Sequence, residues 1–175
     1  MVGWASGTSG YAFWHWTART PPTTNQTLLL ARTLASGALD SAWPLGGAGV
    51  EVGPRSSAPE AIIAADGSGG VYVAWHDKEP DSPSTTSQDA RLTRILASGQ
   101  RAPGWPVEGL LLATSTPGAE PTQIVLDGQG GCFVVWFHAG LLGETSIRTQ
   151  HILSDGTRAP GWPAECVPAC DVHSL

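Results

Sequence analysis

Apolar residues along this chain come in short runs and lack the three-and-four spacing of an amphipathic helix. Runs at 60–64, 71–76, 90–96 and 109–113 are each bounded by Gly, Pro, Ser or Asp. Counterparts follow at 121–126, 132–137, 147–153 and 166–170. Segments of this length, alternating or continuously apolar between turn formers, predict β-strands, four to each set.

The sets are copies of one another. Ala65-Asp66-Gly67-Ser68-Gly69-Gly70 leads through Val71 to Trp75, and Leu126-Asp127-Gly128-Gln129-Gly130-Gly131 leads through Cys132 to Trp136, 61 residues on. Ala5-Ser6-Gly7 to Trp16 is a worn first copy, in which Ser6 replaces the Asp and either His15 or Trp16 holds the aromatic position. A second block runs from Leu34-Ala35-Ser36-Gly37 to Trp43-Pro44, from Leu96 to Trp105-Pro106, and from Leu153 to Trp162-Pro163. The hexapeptide at 101–106 returns unchanged at 158–163, an offset of 57, so a loop of variable length separates the two blocks. The chain therefore divides into one repeat domain over 1–175, with repeats at about 1–53, 54–114 and 115–175. Within each repeat, Asp-Gly-x-Gly-Gly predicts a hairpin turn, in which glycines supply positive φ and the Asp side chain bonds amides two residues on.

Composition agrees. With 22 Gly, 14 Pro, 8 Trp and only 14% charged residues, many short strands are favoured over long surface helices. A net charge of −6 with no Lys/Arg cluster argues against nucleic acid as a partner. No apolar stretch of membrane-spanning length and no signal peptide is visible, so membrane insertion is not expected. Three cysteines are too few for a disulfide framework. One bridge, Cys166 to Cys170, requires a turn at Pro168, because an extended strand holds the two too far apart.

The Asp-Gly-x-Gly-Gly, Trp, Ala-Ser-Gly and Trp-Pro motifs resemble a bacterial β-propeller repeat family of secreted and cell-surface proteins. The resemblance covers essentially the whole chain and implies an all-β, β-propeller-like fold of three four-stranded repeats with an extracellular or cell-surface location. A β-trefoil is the alternative, since it too has three repeats of four strands. Propellers close with about four to eight blades, so three imply a homo-oligomer, a dimer completing six blades, or a place in a longer array.

Function is expected where the copies disagree, on the face that carries the variable loops and to which the second strand of each repeat delivers its end. There the chain carries Trp14, His15 and Trp16, then Trp75, His76 and Asp77, then Trp136, Phe137 and His138. Aromatic faces beside hydrogen-bonding groups suit sugar rings, which makes Trp14, His15, Trp16, His76, Asp77 and His138 the candidate ligand-binding residues. Trp75 and Trp136, one per repeat at a fixed position, are expected to pack between repeats. Trp14 or Trp16 is the stronger ligand candidate of repeat one, since the two are not both expected to point inward on a period-two strand. His15, His76 and His138 fall at unequal positions, so no metal is expected. Arg32, Arg94 and His151 recur at one position of the third strand; a basic group repeated on an apolar face implies a partner, most simply the turn Asp or a backbone carbonyl.

No nucleophile elbow, zinc-protease helix or P-loop is present, and Glu79, Asp81, Asp89 and Glu144 lie in loops without internal correspondence. The expectation is a non-enzymatic binding module without a cofactor, recognising a glycan or a protein. A structural or assembly role is the second reading, and a glycoside hydrolase or lyase the third.

Overall fold

The computed structural model describes residues 3–6, 12–19, 26–43, 48–51, 61–78, 88–114, 118–139, 145–163 and 167–172. Among them the chain is all-β, with no helix. Twelve strands run in order: β1 (Gly3–Ser6), β2 (Ala12–Arg19), β3 (Gln26–Thr33), β4 (Ala48–Glu51), β5 (Ala61–Ala65) and β6 (Val71–Lys78). The rest are β7 (Gln88–Ile95), β8 (Leu110–Ala113), β9 (Gly118–Leu126), β10 (Cys132–Ala139), β11 (Thr145–Ile152) and β12 (Val167–Val172). They form three antiparallel sheets of four strands, each a meander in chain order: β1 to β4, β5 to β8 and β9 to β12. Since no helix exists among the described residues, none is long and apolar enough to cross a membrane.

Register makes the three sheets superimposable. Ser6 pairs with Ala12, Ala65 with Val71 and Leu126 with Cys132, while Ala12, Val71 and Cys132 pair on their other side with Thr33, Ile95 and Ile152. Counting along β2, β6 and β10 from these pairs sets Trp16, Trp75 and Trp136 level, so Trp16 and not His15 holds the repeated aromatic position. The expectation that Trp14 and Trp16 cannot both point inward does not follow from strand period, since residues two apart on one strand have the same parity. The second and third strands also extend past the apolar runs, which places Asp77 and His138 in strands instead of loops.

Two bulges interrupt the third sheet. Thr122 is skipped between Val135 and Trp136, where Pro121 has no amide for the ladder, and Thr122 Oγ1 donates instead to the Val135 carbonyl at 3.2 Å. A second shift lies between Ile147 and Arg148, opposite Pro168, and the second sheet has its counterpart between Ala90 and Arg91. Pro168 therefore sits within β12, and the turn needed to bridge Cys166 and Cys170 is replaced by strand. Cys166 itself lies outside the described residues.

The sheets stack face to face, with β1 against β5 and β5 against β9. Leu30 and Trp43 from the first repeat pack on Val71, Val73, Trp75 and Ile95. The opposite face of the second sheet, with Tyr72, Ala74 and Leu92, packs on Cys132, Val134, Trp136 and Ile152. Covered on both faces, β6 is fully buried from Val71 to Trp75. This is why that run is continuously apolar. In β10 buried residues alternate with more accessible ones from Cys132 to Trp136, as expected of a strand covered on one face.

Candidate functional site

The repeated polar residues meet at the joints between sheets. The joint between the second and third sheets is built from the Asp-Gly turn, the aromatic residue near the start of the second strand, the basic residue of the third and the Trp of Trp-Pro. The joint between the first and second sheets uses the last two of these from the first repeat.

In the second repeat, Asp66 Oδ1 accepts the amides of Ser68 and Gly70, each at 2.8 Å, and shapes the turn. Its other oxygen accepts Arg94 Nε at 3.1 Å and Nη2 at 2.8 Å. Gly70 is required by contact: a Cβ there would lie 2.4 Å from the Ile95 carbonyl and 2.7 Å from Asp66 Oδ2. In the third repeat, Asp127 Oδ1 accepts Gln129 N at 2.7 Å and Gly131 N at 2.9 Å, while Oδ2 meets His151 Nε2 at 2.8 Å. Burial pushes the Asp127 carboxyl up, but His151 and the two amides outweigh it and hold it below the usual carboxylate range.

The first repeat achieves the same pairing by moving its acid. Register sets Ser6 level with Ala65 and Leu126, one residue before the turn Asp, so Ser6 does not hold the Asp position as the motif suggested. Arg32 bonds Asp40 through Nε at 2.9 Å and Nη2 at 2.5 Å. At the positions matching Asp40 the other repeats carry buried Ala102 and Ala159. Backbone geometry is unchanged by the exchange: Asp40, Ala102 and Ala159 all donate their amide to the carbonyl of Arg32, Arg94 or His151, at 2.9, 2.9 and 3.0 Å. The amide of Ala42, followed by Arg32, holds the Asp40 carboxyl below its ordinary range.

Having paired with its acid, each Arg reaches across the joint. Arg32 Nη1 donates to the Gly69 carbonyl of the next repeat, and Arg94 Nη1 to the Ser154 carbonyl at 3.3 Å. Trp43 Nε1 donates to the Ala97 carbonyl at 2.9 Å, and Trp105 Nε1 to Ser154, which matches Ala97, at 3.2 Å. Tyr72 Oη donates to the Gly130 carbonyl at 2.5 Å. Arg158 Nη2 reaches back to the Leu111 carbonyl at 3.2 Å. Ring contacts reinforce the set, with Arg32 over Trp43 at 5.5 Å and Arg94 over Tyr72 at 5.4 Å. These donors meet backbone carbonyls, which no substitution can remove, so the joints tolerate sequence drift on the acceptor side.

In register, the sequence-based ligand candidates fall at several levels of the second strands. Trp14 and Trp16 lie level with Val73 and Trp75. His15 lies level with Ala74. His76 pairs in register with Ala90, Asp77 with Asp89, and His138 with Ala119 and Ser146. The three histidines thus occupy three different rows. Trp75 and Trp136 are core residues, each fully buried. Of the acids weighed for catalysis, Asp89 is buried in β7 with Arg91 Nη2 at 3.7 Å, and Glu79, Asp81 and Glu144 lie outside the described residues. Burial, then Asp127, pushes the Cys132 thiol up to about 12, which leaves it an inert core group.

Motif spacing exposes the Asp turns and the Trp-Pro segments. It does not expose Tyr72 as a cross-joint donor, because Phe stands at the matching position in the third repeat and the acceptor is backbone. No protein-family model matches the sequence, and a search of curated proteins finds no match.

Proposed function

We propose that this chain is a non-enzymatic scaffold of the propeller kind, its three sheets serving as blades, and that it works by protein–protein assembly. One observation carries the reading: the repeated polar and aromatic residues with chemical potential are spent on joining each sheet to the next. Arg32, Trp43, Tyr72, Arg94 and Trp105 all donate across a joint to a main-chain carbonyl. The propeller form is supported over the trefoil by the way each repeat completes its own four-stranded meander and stacks through its first strand. A carbohydrate site draws no support from the described side chains, since the aromatic residue common to the repeats is core in the second and third.

Tyr72→Phe and Trp105→Phe test the reading, for each removes one cross-joint donor and keeps a ring. Each is expected to lose about 1 kcal/mol in urea unfolding. Unchanged stability in both contradicts the joint chemistry. Glycan arrays are expected to stay silent; binding lost in Trp14→Ala or Trp16→Ala establishes a lectin instead.

A further inference from the structure

The joint design has two halves, and among the described residues one of each is unused. Toward the next sheet every repeat offers a Trp indole N–H; toward the preceding sheet it offers the carbonyl of the second residue in its Leu-Ala-Ser-Gly-type turn. Trp43 and Trp105 find their acceptors in Ala97 and Ser154. Trp162, third in the series, has no acceptor for Nε1 among the described residues, although it is held in the same way, its amide on Ala159 and its ring against Phe133 and His151 at 5.8 Å. Around it the outer face of the third sheet stays open: Val125 is 45% and Phe137 37% exposed. Register puts both on the face of Phe133 and Val135. The matching face of the second sheet, with Tyr72 and Ala74, is fully buried against the third.

At the other end, Ala35 matches Ala97 and Ser154. Its turn has the same bonds, Leu34 N to Ala38 O at 2.9 Å and Gly37 N to Leu34 O at 2.9 Å, against 2.7 and 2.9 Å in the turn at Leu96. Leu39 stands where Arg158 reaches back across its joint, paired with Thr33 as Arg158 is with Ile152, and is 67% exposed. Sheets one and three make no extensive strand contact with each other among the described residues, so the two halves do not meet within the chain.

We propose that a second copy of this chain docks its first sheet on the outer face of the third, with Trp162 Nε1 donating to the Ala35 carbonyl of that copy. The occupant follows from continuity: the chain uses this interface twice internally, and its own first repeat presents the acceptor turn with the matching bonds. The contact is head to tail, so two copies closing on each other bring six sheets into one ring and contain the joint twice. The inference rests on the scaffold reading above.

Sedimentation velocity and light scattering on the full chain test it. Wild type is expected at twice the chain mass. Trp162→Phe, which keeps the ring and loses the donor, is expected to weaken association at least about tenfold, because the lost bond counts twice. Trp162→Ala and Leu39→Glu are each expected to be monomeric. Mixed together, these two retain one intact joint between them and are expected to pair, as only a head-to-tail contact allows. A wild-type monomer at every concentration, wild-type association in either variant, or no pairing on mixing overturns the proposal. Failure of the scaffold reading is separate, appearing as unchanged stability in Tyr72→Phe and Trp105→Phe.

Discussion

The moved acid of the first repeat is a natural experiment that can be transplanted into the second. Asp66→Ser leaves Arg94 without its carboxylate. The pair is well buried, with side chains 1% and 13% exposed, and the turn loses the acceptor of two amides as well. Removing one partner of a buried pair costs about 3–5 kcal/mol. Arg94 reaches the surface and keeps the Ser154 carbonyl, so the low end, about 3 kcal/mol, is expected. For a chain of this length that lowers Tm by about 6–12 °C. Adding Ala102→Asp supplies the carboxylate from the Asp40 position, where the backbone already has the right course. The serine hydroxyl serves the turn less well than a carboxylate, so recovery of about half, roughly 1.5 kcal/mol, is expected. Ala102→Asp alone is expected to destabilise, because it buries a second acid beside an Arg already paired. The assay is a double-mutant cycle by urea unfolding. A double variant no more stable than Asp66→Ser refutes the equivalence of the two acids.

Three further outcomes follow from the same geometry. Gly131→Ala is expected to cost at least about 2 kcal/mol in urea unfolding, since a Cβ would lie 2.5 Å from both Asp127 Oδ2 and the Ile152 carbonyl, while Gly128→Ala, with open space around its Cβ, pays only for its positive φ. Because the folded Asp127 carboxyl lies below its unfolded value, its contribution is complete above about pH 4 and is lost as pH falls through the folded value; acid-unfolding curves of Asp127→Asn are expected to be shallower there than wild type. Cys132, buried with its thiol pushed up to about 12, is expected to resist alkylation at pH 8 until the chain is unfolded, as mass spectrometry of labelled protein can follow.

Much of the fold is legible because each repeat solves the same burial problem in the same way. The alternation after Cys132 and the unbroken run from Val71 to Trp75 distinguish a sheet covered on one face from one covered on both. Strand ends are less legible: Asp77, Lys78 and Ala139 remain in ladders held by cross-strand pairing that their side chains do not announce. The first repeat is the hardest to align, since Ser6 reads as a replaced Asp until register sets it one residue earlier, and Asp40 looks like a stray acid until Arg32 is seen to bond it. The expectation that a basic group repeated beside leucines needs a turn Asp or a carbonyl names the joint's chemistry, yet its span is hidden. Arg94 and Ser154 are 60 residues apart, and nothing local to either marks the other.

Exchange of the indole N–H protons tests the central claim most directly, because it reads the cross-joint bonds one by one. In nitrogen-15 NMR spectra of dilute chain, with resonances assigned by single Trp→Phe variants, Trp43 and Trp105 are expected to exchange slowly and Trp162 quickly. Raising the concentration until two copies associate is expected to slow Trp162 as well. Fast exchange at Trp43 and Trp105, at the rate of Trp162 in dilute solution, contradicts the account.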